Sequence, residues 1–221
     1  RQDVPAAAGL IPATVVRKNS RNVFTKEYEA KGGTIVSKET FVPGQTTDFS
    51  PVLSKIKEKS PDLLYVNASY SDCAQILMQA KALNINCQYV CPGMALTEEF
   101  LDVVGTSIDG TLVLSSVPAF LPSVLETAKL DDSMQAFVDS YTAEYKEIPD
   151  GFAASAFDAV NIVLDACAKV GTDTPALRTE IAQLRDFPGV SGYDMHFNEN
   201  KEMVKGIYMF QIENGQFVVA E

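Results

Sequence analysis

The stretch SPDLLYVNASYSDCAQILMQAKALNI, residues 60–85, leaves few folds open to this chain. Leu63-Leu64-Tyr65-Val66 is a short unbroken apolar run, the pattern of a strand covered on both faces. Ala74, Ile76, Leu77, Ala80 and Leu83 then fall mainly on one side of a helix of period 3.6. A strand buried on both faces that feeds directly into a helix implies a parallel α/β sheet, because parallel strands need a crossover connection. Between strand and helix lies Asn67-Ala68-Ser69-Tyr70-Ser71-Asp72, a polar turn carrying one aromatic ring. In an open α/β sheet such a turn stands at the carboxyl end of a strand, where ligands bind.

The same alternation runs through the first half of the chain. Thr34-Ile35-Val36 follows Gly32-Gly33 as a strand after a helix stop. TDFSPVLSKIK reads as a helix capped by Asp48 or Ser50, with Pro51 in its first turn. Gln88-Tyr89-Val90 reads as a strand, LTEEFLDVVG as a helix stopped by Gly105, and GTLVLSSV as a strand. Right-handed crossovers then give one parallel sheet. Beyond Val117, Pro118 and Pro122 break the pattern and helices are expected over 131–146, 151–170 and 174–185, the last with Thr174 and Pro175 as cap and first turn. Past Gly189 the alternation returns as two strands around turns at Asn198-Glu199-Asn200 and Asn214-Gly215. A sheet-forming region interrupted by helices that belong elsewhere points to two lobes.

The 221 residues are 46% hydrophobic and 21% charged, enough to bury a sizeable core. A net charge of -11 argues against nucleic acid and anionic membrane surfaces as partners, since phosphate tracking needs clustered Lys and Arg. No apolar stretch is read as a membrane span, and Arg1-Gln2-Asp3 is followed by only a short Val-Pro-Ala run, unlike a signal peptide. Cys87 and Cys91 flank an apparent strand, whose extended chain sets them roughly 13 Å apart. A disulfide needs less than about 7 Å between Cα atoms. Their spacing also differs from a zinc knuckle, so Cys73, Cys87, Cys91 and Cys167 read as small buried hydrophobes.

Residue patterns for catalysis are weak. His196 shares an extended-chain face with Asp194, but no nucleophile elbow accompanies the pair. The glycines form neither GxGxxG nor a P-loop. Glu98-Glu99 and Asp131-Asp132 open helices, where negative charge complements the dipole. No enzyme, cofactor or metal is implied.

EAKGGTIVSKETFVPGQTTDFSPVLSKIKEKSPDLLYVNASYSDCAQILMQAKALNI resembles the second lobe of type I periplasmic binding proteins, in the leucine/isoleucine/valine-binding branch that serves ABC importers. The resemblance continues through EEFLDVVGTSIDGTLVLSS, AFVDSYTAEYKEIPDGFAASAFDAV and FPGVSGYDMHFNENKEMVKGIYMFQIENGQFV. It implies an α/β, two-lobed periplasmic-binding-protein type I fold, parallel sheets flanked by helices, that closes on a small-molecule ligand. Residues 1–24 would be a remnant of the first lobe, 25–117 the second lobe, 118–186 first-lobe helices, and 187–221 the hinge and second-lobe strands. The first lobe would thus be partial. GLIPATVVRKNSRNVF looks like the segment that holds a ligand carboxylate, which would make Ala13 and Thr14 ligand positions and would leave a strand and most of a helix missing between Phe24 and Thr25. Alternatively IPATVV is the second lobe's own first strand.

Ser69 and Tyr70 match the aromatic turn that reaches a ligand from the second lobe, and Phe152 an aromatic of the first lobe that walls the ligand side chain. Gly93 stands where amino-acid-binding relatives carry an acidic partner for the ligand ammonium, so small carboxylates lacking an amine join amino acids as candidate ligands. The implied partners are the ligand and ABC-transporter membrane subunits. The implied location is periplasmic or extracellular, with a lipid anchor an option in the full-length form. A ligand-sensing module of a receptor or regulator is the alternative role, and a hydrolytic enzyme using Asp194 and His196 a third.

Overall fold

The computed structural model describes residues 5–13, 15–125 and 130–220. In chain order the elements are β1 (Ala6–Pro12), α1 (Val15–Ala30), β2 (Thr34–Phe41), α2 (Ser50–Glu58), β3 (Leu63–Val66), α3 (Tyr70–Ala82) and β4 (Gln88–Pro92). A 3-10 turn (Gly93–Ala95), α4 (Glu98–Val104) and β5 (Leu112–Ser115) follow. Next come α5 (Pro122–Leu125), α6 (Asp132–Tyr145), α7 (Gly151–Val170) and α8 (Thr174–Ala182). The chain ends in β6 (His196–Phe197), β7 (Met203–Val204), β8 (Tyr208–Glu213) and β9 (Gln216–Val219). They form two compact units, Arg1–Leu114 with Met209–Glu221, and Ser115–Tyr208.

The first unit is built on a seven-stranded sheet of order β2-β1-β3-β4-β5-β8-β9. Strands β1 to β5 pair in parallel and β8 pairs with β9 antiparallel. Leu10, Ile11, Leu64, Val66, Val90 and Val113 are buried in the sheet, and Leu53, Ile56, Ile76 and Leu77 on the helices that cover it. Each such side chain contributes about 1.5–3 kcal/mol on leaving water.

The amino-terminal segment departs from the expectation of a first-lobe remnant. Ala6–Pro12 pairs with β2 on one side and β3 on the other, and its burial is nearly continuous. That is the environment of a central strand, so the segment belongs to the same sheet as residues 34–115. The strand ends at Pro12, ahead of Ala13-Thr14-Val15-Val16. Helix α1 then runs unbroken through the Phe24–Thr25 junction, and the Phe24 ring stacks on Tyr65 of β3 at 4.5 Å between centroids. The cap of α2 also differs. Neither Asp48 nor Ser50 caps it: Asp48 Oδ1 accepts from the Ser50 amide at 2.9 Å, and the N-cap Phe49 donates its amide to Gln79 Oε1 at 2.7 Å.

The second unit is mostly helical. Phe120, Met134, Phe137, Val138, Ala154 and Val190 form its buried cluster. Asp131, Asp150 and Asp173 cap α6, α7 and α8 through their side chains, so the α8 cap is Asp173 and Thr174 is the first helical residue. Segment 187–208 belongs to this unit, which shortens the expected return of 187–221 to the sheet to Met209–Glu221. The reason is a buried carboxylate on α7. Asp158 accepts the amides of Val190 at 2.9 Å and Ser191 at 2.7 Å, while Lys205 Nζ donates to Ser191 Oγ at 2.6 Å. Gly189 leaves the room this requires, since a Cβ there would lie 2.4 Å from Asp158 Oδ2.

Helix α7 carries two apolar faces. Ala154, Ile162 and Ala166 are buried together with Asp158. Phe152, Phe157, Val160, Val163, Leu164 and Val170 lie on the other side, between 36% and 85% exposed. With 20 residues at a mean hydropathy of 1.3, α7 has the length and composition of a membrane span, which the sequence pattern was not expected to contain. Asp158 in its middle is held by two loop amides, while the large apolar side chains of its other side remain exposed.

Candidate functional site

Parallel pairing brings the carboxyl ends of β1 to β4 to one edge of the sheet. The chain leaves β1 toward β2 on one side, then returns past β1 to build β3, β4 and β5 on the other. The order therefore reverses between β1 and β3, the kind of switch point at which open α/β sheets bind ligands. Ala13 follows β1 at this edge, Ser69 and Tyr70 follow β3, and Gly93 follows β4. Four of the sequence-selected positions thus stand along one sheet edge. Thr14 lies outside the described residues.

Ala13 is exposed, and its amide donates to Phe41 O at 2.8 Å, tying the end of β1 to the end of β2. Ser69 is the N-cap of α3: its Oγ accepts the Asp72 amide at 3.2 Å and donates to Asp72 Oδ2 at 3.0 Å. Ser71 Oγ lies 3.1 Å from the same hydroxyl. Tyr70 opens the helix with its side chain 41% exposed, since the cap turns the chain just before it. Gly93 begins the 3-10 turn and is half-buried.

Two polar residues at this edge escaped selection on sequence. Asn67 and Asp72 are buried, at 5% and 9% exposure. Asp72 places a carboxylate in the first turn of α3, bonded to Ser69 and two residues after Tyr70. Its negative charge complements the helix dipole and makes this edge better suited to a cationic group than to a second anion. The signal for it was its place in SYSD, where a helix-capping role was sufficient explanation.

Phe152 belongs to the second unit, in the first turn of α7 behind the Asp150 cap. It is 85% exposed, so it is not a core residue there. The Asp194–His196 relay does not form: His196 Nδ1 pairs with the backbone oxygen of Asp194 at 2.8 Å, not with its carboxylate. Among the described residues no group of three or more His, Cys, Asp or Glu is arranged to hold a metal ion.

The periplasmic binding protein family pattern matches residues 10–216, nearly the whole chain. The chain belongs to the periplasmic binding protein family. A leucine-, isoleucine-, valine-, threonine- and alanine-binding protein of Pseudomonas aeruginosa is 22% identical over 156 residues, which is 71% of this chain and 39% of that protein. A crystal structure from Rhodospirillum rubrum, provisionally assigned to branched-chain amino acid ABC transport, superposes with a TM-score of 0.86 at 25% identity. It covers 99% of this chain and 61% of its own. The substrate-binding protein LivJ of Streptococcus pneumoniae, solved with isoleucine, gives a TM-score of 0.73 at 28% identity, over 98% of this chain and 60% of its own. This family member thus spans about three fifths of the solved structures it matches, and less than half of the Pseudomonas protein.

Proposed function

We propose that the chain is part of an extracytoplasmic solute-binding component of an ABC importer, and that its ligand is a branched-chain or other amino acid or a related small carboxylate. The family match over residues 10–216 carries this reading. The Pseudomonas relative and the isoleucine-bound LivJ structure favour amino acids within that range. Ala13, Thr14, Ser69, Tyr70, Gly93 and Phe152 are the proposed ligand-binding residues. The membrane subunits of the importer are the proposed protein partners.

Gly93 supplies no countercharge for a ligand ammonium, and an unpaired buried ammonium costs several kcal/mol. We assign that role to Asp72, which stands at the same sheet edge beside Ser69. Titration calorimetry on the full-length protein tests both parts. Leucine, isoleucine or valine should bind, and Asp72→Asn should weaken that binding by about tenfold or more, a difference of about 1.4 kcal/mol. The same variant should leave the binding of deaminated acids of equal shape unchanged. Equal losses for both ligand classes would remove Asp72 from the role. An absence of binding by either class would remove the functional reading.

A further inference from the structure

Cys73 and Cys91 are both fully buried. Cys73 lies in the first turn of α3, and its Sγ donates to Val66 O at 3.8 Å. Strand β3 pairs with β4 in the register Leu63–Gln88, Leu64–Tyr89, Tyr65–Val90. Continued by one residue, that register sets Cys91 beside Val66, one strand spacing of about 4.8 Å away. Val66 thus neighbours both residues: its carbonyl meets the Cys73 sulfur and its strand partner is Cys91, whose thiol is pushed well up first by Cys73 beside it and then by burial. Two thiols so placed either pack as small apolar groups or join.

We propose that Cys73 and Cys91 are a cross-linking pair that closes to a disulfide when the chain folds in an oxidising compartment, joining the first turn of α3 to the end of β4. The thiolate of one cysteine attacks a disulfide of a small-molecule or protein oxidant to form a mixed disulfide. The second thiolate then displaces the oxidant's remaining sulfur. Two cysteine S–H bonds and the oxidant's S–S bond are lost, one S–S bond forms between the cysteines, and both protons pass to the oxidant's sulfurs, which leave as two thiols. The hydrogen bond to Cys73, together with burial, holds the Cys91 thiol well above its ordinary range, so the folded pair exchanges slowly and the bond forms before the core closes. Tyr70 stands one turn ahead of Cys73 and Gly93 directly follows Cys91-Pro92, so the cross-link fixes the separation of two turns of the proposed ligand site. The inference rests on the proposed function only for the compartment, and its test uses no ligand.

The full-length protein is denatured, reduced and refolded in a glutathione redox buffer, then analysed by thiol titration under denaturing conditions and by peptide mass mapping. The expected product has lost the mass of two hydrogens, contains a peptide pair joining Cys73 to Cys91, and melts at a higher temperature than its reduced form. The Cys87→Ser/Cys167→Ser variant, which keeps only the proposed pair, should retain the cross-link and the melting increment. Adding Cys91→Ser to it should abolish both. Natively folded protein that refolds with every thiol still free, or with bonds only to Cys87 or Cys167, would overturn the proposal, whatever the outcome of ligand binding.

Discussion

Ser69 and Tyr70 divide the work of one turn between folding and recognition. The Ser69 hydroxyl is consumed by the α3 cap and by Asp72, whereas the Tyr70 ring is left largely outside the core. Ser69→Ala should cost about 1 kcal/mol in denaturant unfolding, the usual loss for an N-cap. Tyr70→Ala should change stability by no more than about 0.5 kcal/mol, yet lower ligand affinity about tenfold or more in calorimetry. A Tyr70 variant that unfolds easily and binds normally would reverse that division. At high pH a different pair of residues decides. Burial pushes the Cys87 thiol up to about 11 from 9.0 and the Tyr89 phenol up to about 12 from 10.0. Tyr89 also donates to Ile85 O at 2.6 Å. The folded state keeps protons that the unfolded chain gives up, so this stability is complete below about pH 9 and is lost as pH rises toward 12. Tyr89→Phe should therefore flatten the stability profile between pH 10 and 12, the interval over which the phenol is shifted. An unchanged slope there would exclude Tyr89 from the alkaline transition.

Helix α7 is the element whose two faces make opposite predictions. Ile162 is buried, so Ile162→Ala should cost about 2–4 kcal/mol as a cavity substitution. Val160 and Leu164 are exposed on the opposite side, so Val160→Lys/Leu164→Lys should leave stability in denaturant unfolding nearly unchanged. Loss of stability equal to that of Ile162→Ala would show that the outer face is covered. The sequence pattern placed a helix over 151–170 correctly, but periodicity alone did not tell a covered face from an open one. It identified α3, β3 and α4 for the same reason, since short apolar runs and capping residues are local signals. It misjudged β1 because Ala6-Ala7-Ala8-Gly9 lacks the branched side chains that announce a strand, and the position between β2 and β3 is fixed only by long-range pairing. The α2 cap failed for a related cause: Phe49 is anchored by Gln79 from α3, a partner far away in sequence.

At the scale of the whole molecule, the chain divides at Leu114/Ser115 and Tyr208/Met209 into two compact units. The turns bearing Ser69, Tyr70 and Gly93 were legible because each follows a recognisable strand, whereas Ala13 was set at this edge only by the pairing of β1. That they share one sheet edge became visible only with the strand order, and Asp72 stood out only with its burial. A ligand that binds the folded protein alone must stabilise it, by about 2.7 kcal/mol at a hundred times its dissociation constant. Thermal unfolding of the full-length protein against aliphatic amino acids, their deaminated acids and neutral sugars is thus the most direct test. The account predicts a concentration-dependent rise in melting temperature with an amino acid or small carboxylate, lost in Tyr70→Ala, and none with sugars. A cooperatively folded protein that none of the amino acids or carboxylates stabilises would contradict it.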